Sequence, residues 1–406
     1  MLITTDFNTL TTTMATVSSI VSDKLLQEDF KNVIIWVKEG VVRFGAFGGN
    51  VTSATETTAE ASIKEGEHFF QLKAKDINDV LNTFTGLKRT VVTKIEIQIN
   101  DNDALMFVHE EAMDEEITNA EAYKQVSKFR ITKVRLKDVV KAEVQKVDSN
   151  KDGVTVETGT LLVYINALYP TVAKETRESS YNVMFDENSV YTVPAQYAAI
   201  MPNKLPEVFQ GFRLSNSMVN FLKNFIGTAE EFTIGKEVID GGAIFLTVTV
   251  GDSIATIKCP DMSRAYDMTN FLVIPPNAVA IDKGYLKDVL KRIALGNEPA
   301  NVDINIGEGG MGLMRVTTKA MTQQLPVLQA KGAGAYSFQI KADLLSTLIF
   351  SHVDYLGETV FLYLELNERS NVVLAVKDNT NLWHTKISGL TQSKGDFDWS
   401  RQTQQQ

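Results

Sequence analysis

Three stretches of the chain share one alternation of apolar and polar positions: FFQLKAKDINDVLNTF from Phe69, GFRLSNSMVNFLKNF from Gly211 and YSFQIKADLLSTLIF from Tyr336. Each predicts a short strand, a polar residue able to cap a helix (Asp76, Ser215, Asp343), and an apolar helical face ending in phenylalanine. Period-2 runs follow: KIEIQINDNDALMFVHE from Lys94, AIFLTVTVGDSIATIKC from Ala243 and VFLYLELNERSNVVLAVKD from Val360. Alternation around Asn-Asp, Gly-Asp or Asn-Glu-Arg-Ser marks a hairpin. A further hairpin precedes each unit, from Asn32, Tyr181 and Asn301, and before the first of these FNTLTTTMATVSSIV predicts a helix with Leu10, Met14, Val17 and Val21 on one side.

A second likeness links VRLKDVVKAE from Val134 to GYLKDVLKRI from Gly284. Leu136, Val139 and Val140 in the one, and Leu286, Val289 and Leu290 in the other, fall at helical spacing, so both read as the first helix of a unit. The order strand, helix, strands, strand, helix, strands then runs three times, in an α+β chain. Units are expected at residues 1–125, 126–276 and 277–390, the middle one lengthened by an insertion around Asp148 to Glu178. Three unrelated α+β domains would be the plainer reading, and the matched strings argue against it.

Composition narrows the class. With 406 residues, 44% hydrophobic and 22% charged, the chain can build several ordinary globular cores. No run approaches the roughly 18 apolar residues of a membrane helix, and the start lacks a basic-then-apolar leader. No membrane association and a cytoplasmic location are therefore expected. The single cysteine, Cys259, excludes an internal disulfide framework, and the scattered His68, His109, His352 and His384 offer no zinc spacing. In DSNKDGVTVETG, Asp148, Asn150, Asp152 and Gly153 fit the start of a calcium loop, but Gly159 stands where a bidentate acid is required. GEGGMG from Gly307 lacks the Lys-Ser/Thr of a phosphate loop and reads as a turn. No nucleophile elbow or Cys/His pairing suggests catalysis, so no enzyme activity and no cofactor are expected. A net charge of -10 argues against nucleic acid unless the basic residues gather on one surface.

The strand-helix strings, the LKDV(V/L)K pair and the segment CPDMSRAYDMTNFLVIPP from Cys259 together resemble the bacterial-type DNA sliding clamps, the β subunits of DNA polymerase III. The resemblance covers Met1 to about Leu390 and lies in the arrangement, since no one string is diagnostic. Its divergence suits a viral or otherwise distant member. It implies three clamp domains, each with two helices and two small antiparallel sheets, and a ring of two chains joined head to tail as a homodimer. It implies a processivity factor that encircles double-stranded DNA without reading sequence, tethers the replicative DNA polymerase through a peptide groove, and is placed on DNA by an ATP-dependent clamp loader.

If the helices line the hole, the DNA-facing residues are Lys73, Lys75, Lys88 and Arg89 in the first unit. Lys137, Lys141 and Lys223 follow in the second, and Lys283, Lys287, Lys291 and Arg292 in the third. A solvated helix face is the other fate of such lysines. The first helix departs from the pattern, with no basic residue between Asp6 and Lys24, and Glu143 stands where the sister helix has Ile293. By position, the groove falls on the loop VPAQYAAIMP, on DMSRAYDM and on LWHTKISGL, which gives Tyr197, Ile200, Met201, Met262, Tyr266, Ile387 and Leu390. Met-containing surfaces suit varied peptides, while core at a domain junction is the competing reading. The polar tail 391–406 is expected to be disordered, with Phe397 and Trp399 as an anchor for the groove or a partner. The rival to a clamp is a structural or assembly protein of repeated β-rich domains with no DNA passing through it.

Overall fold

This computed structural model describes residues 1–18, 20, 28–88, 90–112, 124–147, 153–172, 181–192, 197–227, 229–239, 242–262, 279–293, 299–306, 310–329, 334–341, 358–366, 372–378 and 384–392. The chain begins with β1 (Leu2–Thr5) and α1 (Phe7–Ser18), then β2 (Asn32–Lys38), β3 (Val41–Phe47), β4 (Val51–Thr57), β5 (Ala59–Ala61) and β6 (Glu67–Lys73). α2 (Ala74–Phe84), β7 (Thr90–Ile99), β8 (Ala104–Ala112) and β9 (Lys124–Ile131) complete a first set. β10 (Lys133–Val134) and α3 (Asp138–Lys146) follow. A second set comprises β11 (Val154–Glu157), α4 (Thr158–Val172), β12 (Tyr181–Phe185), β13 (Ser189–Thr192), β14 (Tyr197–Pro202), β15 (Phe212–Ser215), α5 (Asn216–Ile226), β16 (Glu231–Ile239), β17 (Ala243–Val250) and β18 (Ser253–Pro260). The third comprises β19 (Val279–Asp282), α6 (Lys283–Ile293), β20 (Pro299–Ile306), β21 (Met311–Thr317), β22 (Thr322–Gln329), β23 (Gly334–Lys341), β24 (Thr359–Leu366), β25 (Val372–Asp378) and β26 (His384–Gln392).

One strand order recurs three times: β6-β2-β3-β4, β15-β12-β13-β14 and β23-β20-β21-β22. A second order recurs beside it, as β1-β7-β8-β9 and β11-β16-β17-β18, with β19-β24-β25-β26 completed by the β25–β26 pairing. All of these ladders are antiparallel. Neighbouring sets join through main-chain hydrogen bonds. β4 pairs with β18, with Thr55 opposite Ser253, and β14 pairs with β26, with Tyr197 opposite Ile387. The joins fuse the strands into sheets of 5, 9 and 12.

By compactness the chain divides into Met1–Thr158 with Phe221–Cys259, and Gly159–Asn220 with Pro260–Gln406. In the first unit β2, NVIIWVK, is buried along both faces, as a near-continuous apolar run requires. α1 packs on β3 and β4 with Leu10, Met14 and Val17 buried, and α2 buries Ile77, Val80, Leu81 and Phe84. In the second unit Phe185 stacks on Phe212 at 4.8 Å, and Tyr191 is fully buried.

In the first two sets the expected strand-helix-hairpin order is present, with three corrections. β11 pairs with β16 as β1 pairs with β7 and β19 with β24, so the helix following β11, α4, is the counterpart of α1 and α6. α3 is therefore not the first helix of the middle set, and residues expected to be an insertion are that set's first strand and helix. The likeness of VRLKDVVKAE to α6 reflects a shared amphipathic spacing. Second, β16 comes between α5 and the hairpin read from Ala243, which is present as β17 and β18, so in the middle set it is β16 and β17 that correspond to β7 and β8. Third, the apolar face of α3 runs through Leu136, Val140 and Val144, while Val139 is 69% exposed. The helix expected after β23 lies outside the described residues, as do Val21, Asp148 to Asp152 and the 393–406 end of the tail.

α1 owes its start to Asp6. The Thr9 amide donates to Asp6 Oδ1 at 2.8 Å, satisfying a first-turn N–H. The Thr9 hydroxyl and amide together hold the Asp6 carboxyl below its ordinary value of 3.8. A depressed folded pKa means that this contribution is complete above the unfolded value and is lost as pH falls through the folded one. Asp6→Ala should destabilise the chain by about 1 kcal/mol at pH 7. The gap from the parent should shrink below about pH 4, which urea unfolding at several pH values measures; a pH-independent gap would contradict the capping role.

Candidate nucleic-acid interface and partner groove

Of the first-set candidates, Lys75 is exposed on α2, Lys88 is exposed in the turn that follows it, and Lys73 is half-buried at the α2 start. The Lys73 amide donates to Thr132 O at 2.9 Å, which fixes the β6 end against the strand after β9. Arg89 lies outside the described residues. α5, which follows β15 as α2 follows β6, carries the half-buried Lys223 in its last turn.

α6 gathers the most charge. Lys283, Lys287, Lys291 and Arg292 lie on its 11 residues; Leu286 and Val289 are buried, Lys287 and Lys291 lie on the stripe away from them, and Lys283 and Arg292 flank them. α6 packs on β19 and β22, and α1 likewise packs on β4, the counterpart of β22. Asp282 Oδ1 accepts from the Tyr285 amide at 3.1 Å to open the helix, and Arg292 Nη1 donates to Gln323 Oε1 at 2.8 Å. Lys283 Nζ lies 3.8 Å from Glu358 Oε1. Lys291 and Arg292 also oppose the negative end of the helix dipole, a purely local gain for the same charges. α1 and α4 carry no basic residue at all. Positive potential on the first helices is thus concentrated in the third set.

The remaining pair, Lys137 and Lys141, stands apart. Ile34 and Trp36 of β2 contact Val140 and Val144 of α3, whereas α1 meets the sheet through Thr13, whose hydroxyl lies 3.3 Å from that of Thr57. Thr57 is opposite Val42 and Val42 opposite Val37, so α1 covers the Val37 face and α3 the Trp36 face. Lys141 Nζ sits over the Phe69 ring at 4.6 Å. These two lysines do not share the face of α1.

The groove candidates divide in the same way. VPAQYAAIMP, expected as a loop, supplies β14. Main-chain pairing brings Tyr197 opposite Ile387, and β25 pairs Leu374 with Ile387 and Val372 with Leu390. Ile200, 1% exposed, packs with Met184 and Tyr191, and Met201 is 5% exposed, so both are core; Met262 is part-buried against that same cluster. Tyr266 lies outside the described residues.

Two strand edges escaped the sequence reading. The rule that joins β4 to β18 and β14 to β26 leaves β22 without a last strand from a following set, and β9 without a fourth strand from a preceding one. β9 pairs with β8 alone, and β22 pairs with β21 along its length but with β19 only at Leu328 and Gln329, among the described residues. The signal was present as alternation in KQVSKFRI and TQQLPVLQ, yet alternation does not say which strands end a sheet.

No protein-family model and no curated protein sequence matches the chain. Solved structures do. The DNA polymerase III β subunit of Thermotoga maritima superposes with a TM-score of 0.68 at 14% identity, covering 97% of this chain and 100% of that one. The β subunit of Borrelia burgdorferi gives 0.68 at 13% identity, over 97% and 98%. The DNA polymerase sliding clamp of Caulobacter crescentus gives 0.67 at 12%, over 96% and 99%. The fold is that of a bacterial sliding clamp. At such identities the clamp fold is carried by strand order and burial pattern rather than by recognisable residues, which is why strand pairing had to decide which helix was which.

The core assignment at β14 is testable. Ile200→Ala should cost about 2–5 kcal/mol in a denaturant titration, as truncation of a fully buried aliphatic does. A cost under about 1 kcal/mol would return Ile200 to a solvent-facing groove.

Proposed function

We propose that the protein is a DNA sliding clamp, a non-enzymatic processivity factor. Two copies join head to tail, β22 of each to β9 of the other, and the closed ring encircles duplex DNA. Each chain contributes three clamp domains that follow the recurring sets, β1–β9, β11–β18 and β19–β26. The ring tethers a replicative DNA polymerase, which docks a short peptide where β14 meets β26, near Tyr197, Met262, Ile387 and Leu390. An ATP-driven loader opens it, because parting a paired strand edge costs interface energy that this chain has no means to supply. The site of action is the cytoplasm, where such a polymerase works.

One observation carries this reading: the same strand-to-strand join recurs between successive sets. The β4-type strands of the first two sets pair with the last strand of the following set, and among the described residues β22 keeps its outer edge open over 322–327 and β9 keeps one whole edge open. Two such chains satisfy both edges by the same antiparallel pairing, and a heterologous contact that closes gives a ring rather than a fibre. The charges agree. β9 carries Lys124, Lys128 and Arg130, whereas β22, TQQLPVLQ, has no charged residue to repel them. Sequence-independent retention needs only basic side chains near phosphates, and α6 is where this chain concentrates them. Lys75, Lys88 and Lys223 add to that set, while Lys137 and Lys141 lie off it.

Light scattering on the eluted protein should report twice the 45.0 kDa chain mass. The ring should remain on nicked circular DNA after loading and run off the same DNA once linearised. Lys287→Glu with Lys291→Glu should lower retention by about tenfold at low salt, and Lys137→Glu with Lys141→Glu should change it by less than about twofold. A persistent monomer, or equal retention on circular and linear DNA, would leave the assembly-protein reading in its place.

A further inference from the structure

The face of the β6-β2-β3-β4 sheet turned away from α1 is built as a seat for a helix. Its floor is Ile34, Trp36, Phe47 and Phe69, with the Trp36 and Phe69 rings stacked at 5.4 Å and 14°. Gly45 keeps the approach low: a Cβ there would stand 3.4 Å from Val144 Cγ1 and only 2.7 Å from Ser53 O. The rim selects cations and donors. Lys141 lies over Phe69, and Glu67 accepts from Gln145 Nε2 at 3.1 Å through one oxygen and from Trp36 Nε1 at 3.1 Å through the other.

The occupant, α3, is held loosely for so apolar a seat. It has only 9 residues, too few to be helical alone, and its N-cap Lys137 makes no side-chain capping bond. Gln71 lies opposite both Ile34 and Val134, which puts its side chain on the α3 face. It is 1% exposed, and neither its amide nitrogen nor its amide oxygen has a hydrogen-bond partner. Seating α3 therefore strips water from an amide that gains nothing in return. Past the C-terminal end of α3, an opening of about 180 Å³ lined by Trp36, Val147, Thr249 and Ile254 is left unfilled. Lifting α3 would rehydrate Gln71 but bare Trp36, Phe69 and Phe47, an apolar patch that calls for another cover.

We propose that α3 is a removable resident of a helix-docking face, and that this face takes a partner protein's basic amphipathic helix in its place. The helix it fits repeats the chemistry of α3: aliphatic residues at i, i+4 and i+8, as at Leu136, Val140 and Val144, and a lysine at i+5, as at Lys141, to lie over Phe69. The resident helix competes at the high effective concentration of a tethered segment, so the face is closed by default and opens to a partner that outcompetes it. The inference does not depend on DNA encirclement.

The probe is a labelled synthetic peptide of residues 134–147, titrated against the full chain. Val140→Asp in the chain unseats the resident, and that variant should bind the peptide at least about tenfold more tightly than the parent chain does. The same peptide with Lys141→Glu should bind about tenfold more weakly than the unmodified peptide. Equal binding of the peptide to parent and variant, or indifference to the lysine, overturns the proposal. If Val140→Asp does not fold, native-state hydrogen exchange on the parent decides. Opening of α3 amides at least about a hundredfold more often than those of β2 and β6, slowed by Gln71→Leu, supports the removable helix. Exchange of α3 only together with those strands overturns it.

Discussion

A β-strand has two edges, and each carries main-chain donors and acceptors that must find partners. The architecture follows from how this chain meets that demand. Each set of strands lends one edge to the next, first at β4–β18 and then at β14–β26, so neighbouring sets are welded by main-chain hydrogen bonds and not merely packed. Side chains at such joins are free to drift, because the bonds belong to the backbone. Clamp structures at 12–14% identity can therefore superpose over nearly the whole chain.

Charge is arranged around this frame. The chain has a net charge of -10, yet its basic residues are not spread evenly over the helices. α1 and α4 have none, α2 and α5 have one each, and α6 has four. A contact with a polyanion through helices of this kind would be lopsided, strongest at the third set. Electrostatic attraction that needs no exact register can tolerate such asymmetry, since it depends on summed potential rather than on any one pair.

α3 shows both what a sequence pattern can establish and where it misleads. Its Leu136, Val140 and Val144 announce an amphipathic helix, and a helix is there. Its string likeness to α6 suggested an equivalent place in the fold, but amphipathic lysine-bearing helices converge on the same letters wherever they pack. The true counterpart, α4, reads TGTLLVYINALYPTV, with Leu161, Tyr164, Ile165 and Leu168 buried, and resembles neither sister because it is apolar nearly all round. The groove candidates met a similar limit. Ile200 and Met201 are in β14 by position, but only the packing of Met184 and Tyr191 shows that Ile200 is core. Burial depends on what lies opposite, which no single stretch of sequence contains.

Alternation and helical spacing are local properties of neighbouring residues, so the sequence alone determined the kind and order of most elements: the strand-to-helix units at Phe69 and Gly211, the hairpins from Asn32, Tyr181 and Asn301, and the repetition itself. Pairing is not local. That β11 lies against β16, that α3 covers the Trp36 face and not the Val37 face, and that β9 pairs with β8 alone among the described residues were decided by the tertiary structure. The reason is physical: a strand's side-chain pattern specifies which face is wet, while its hydrogen-bonding edges look alike from either side until a partner strand has taken one of them.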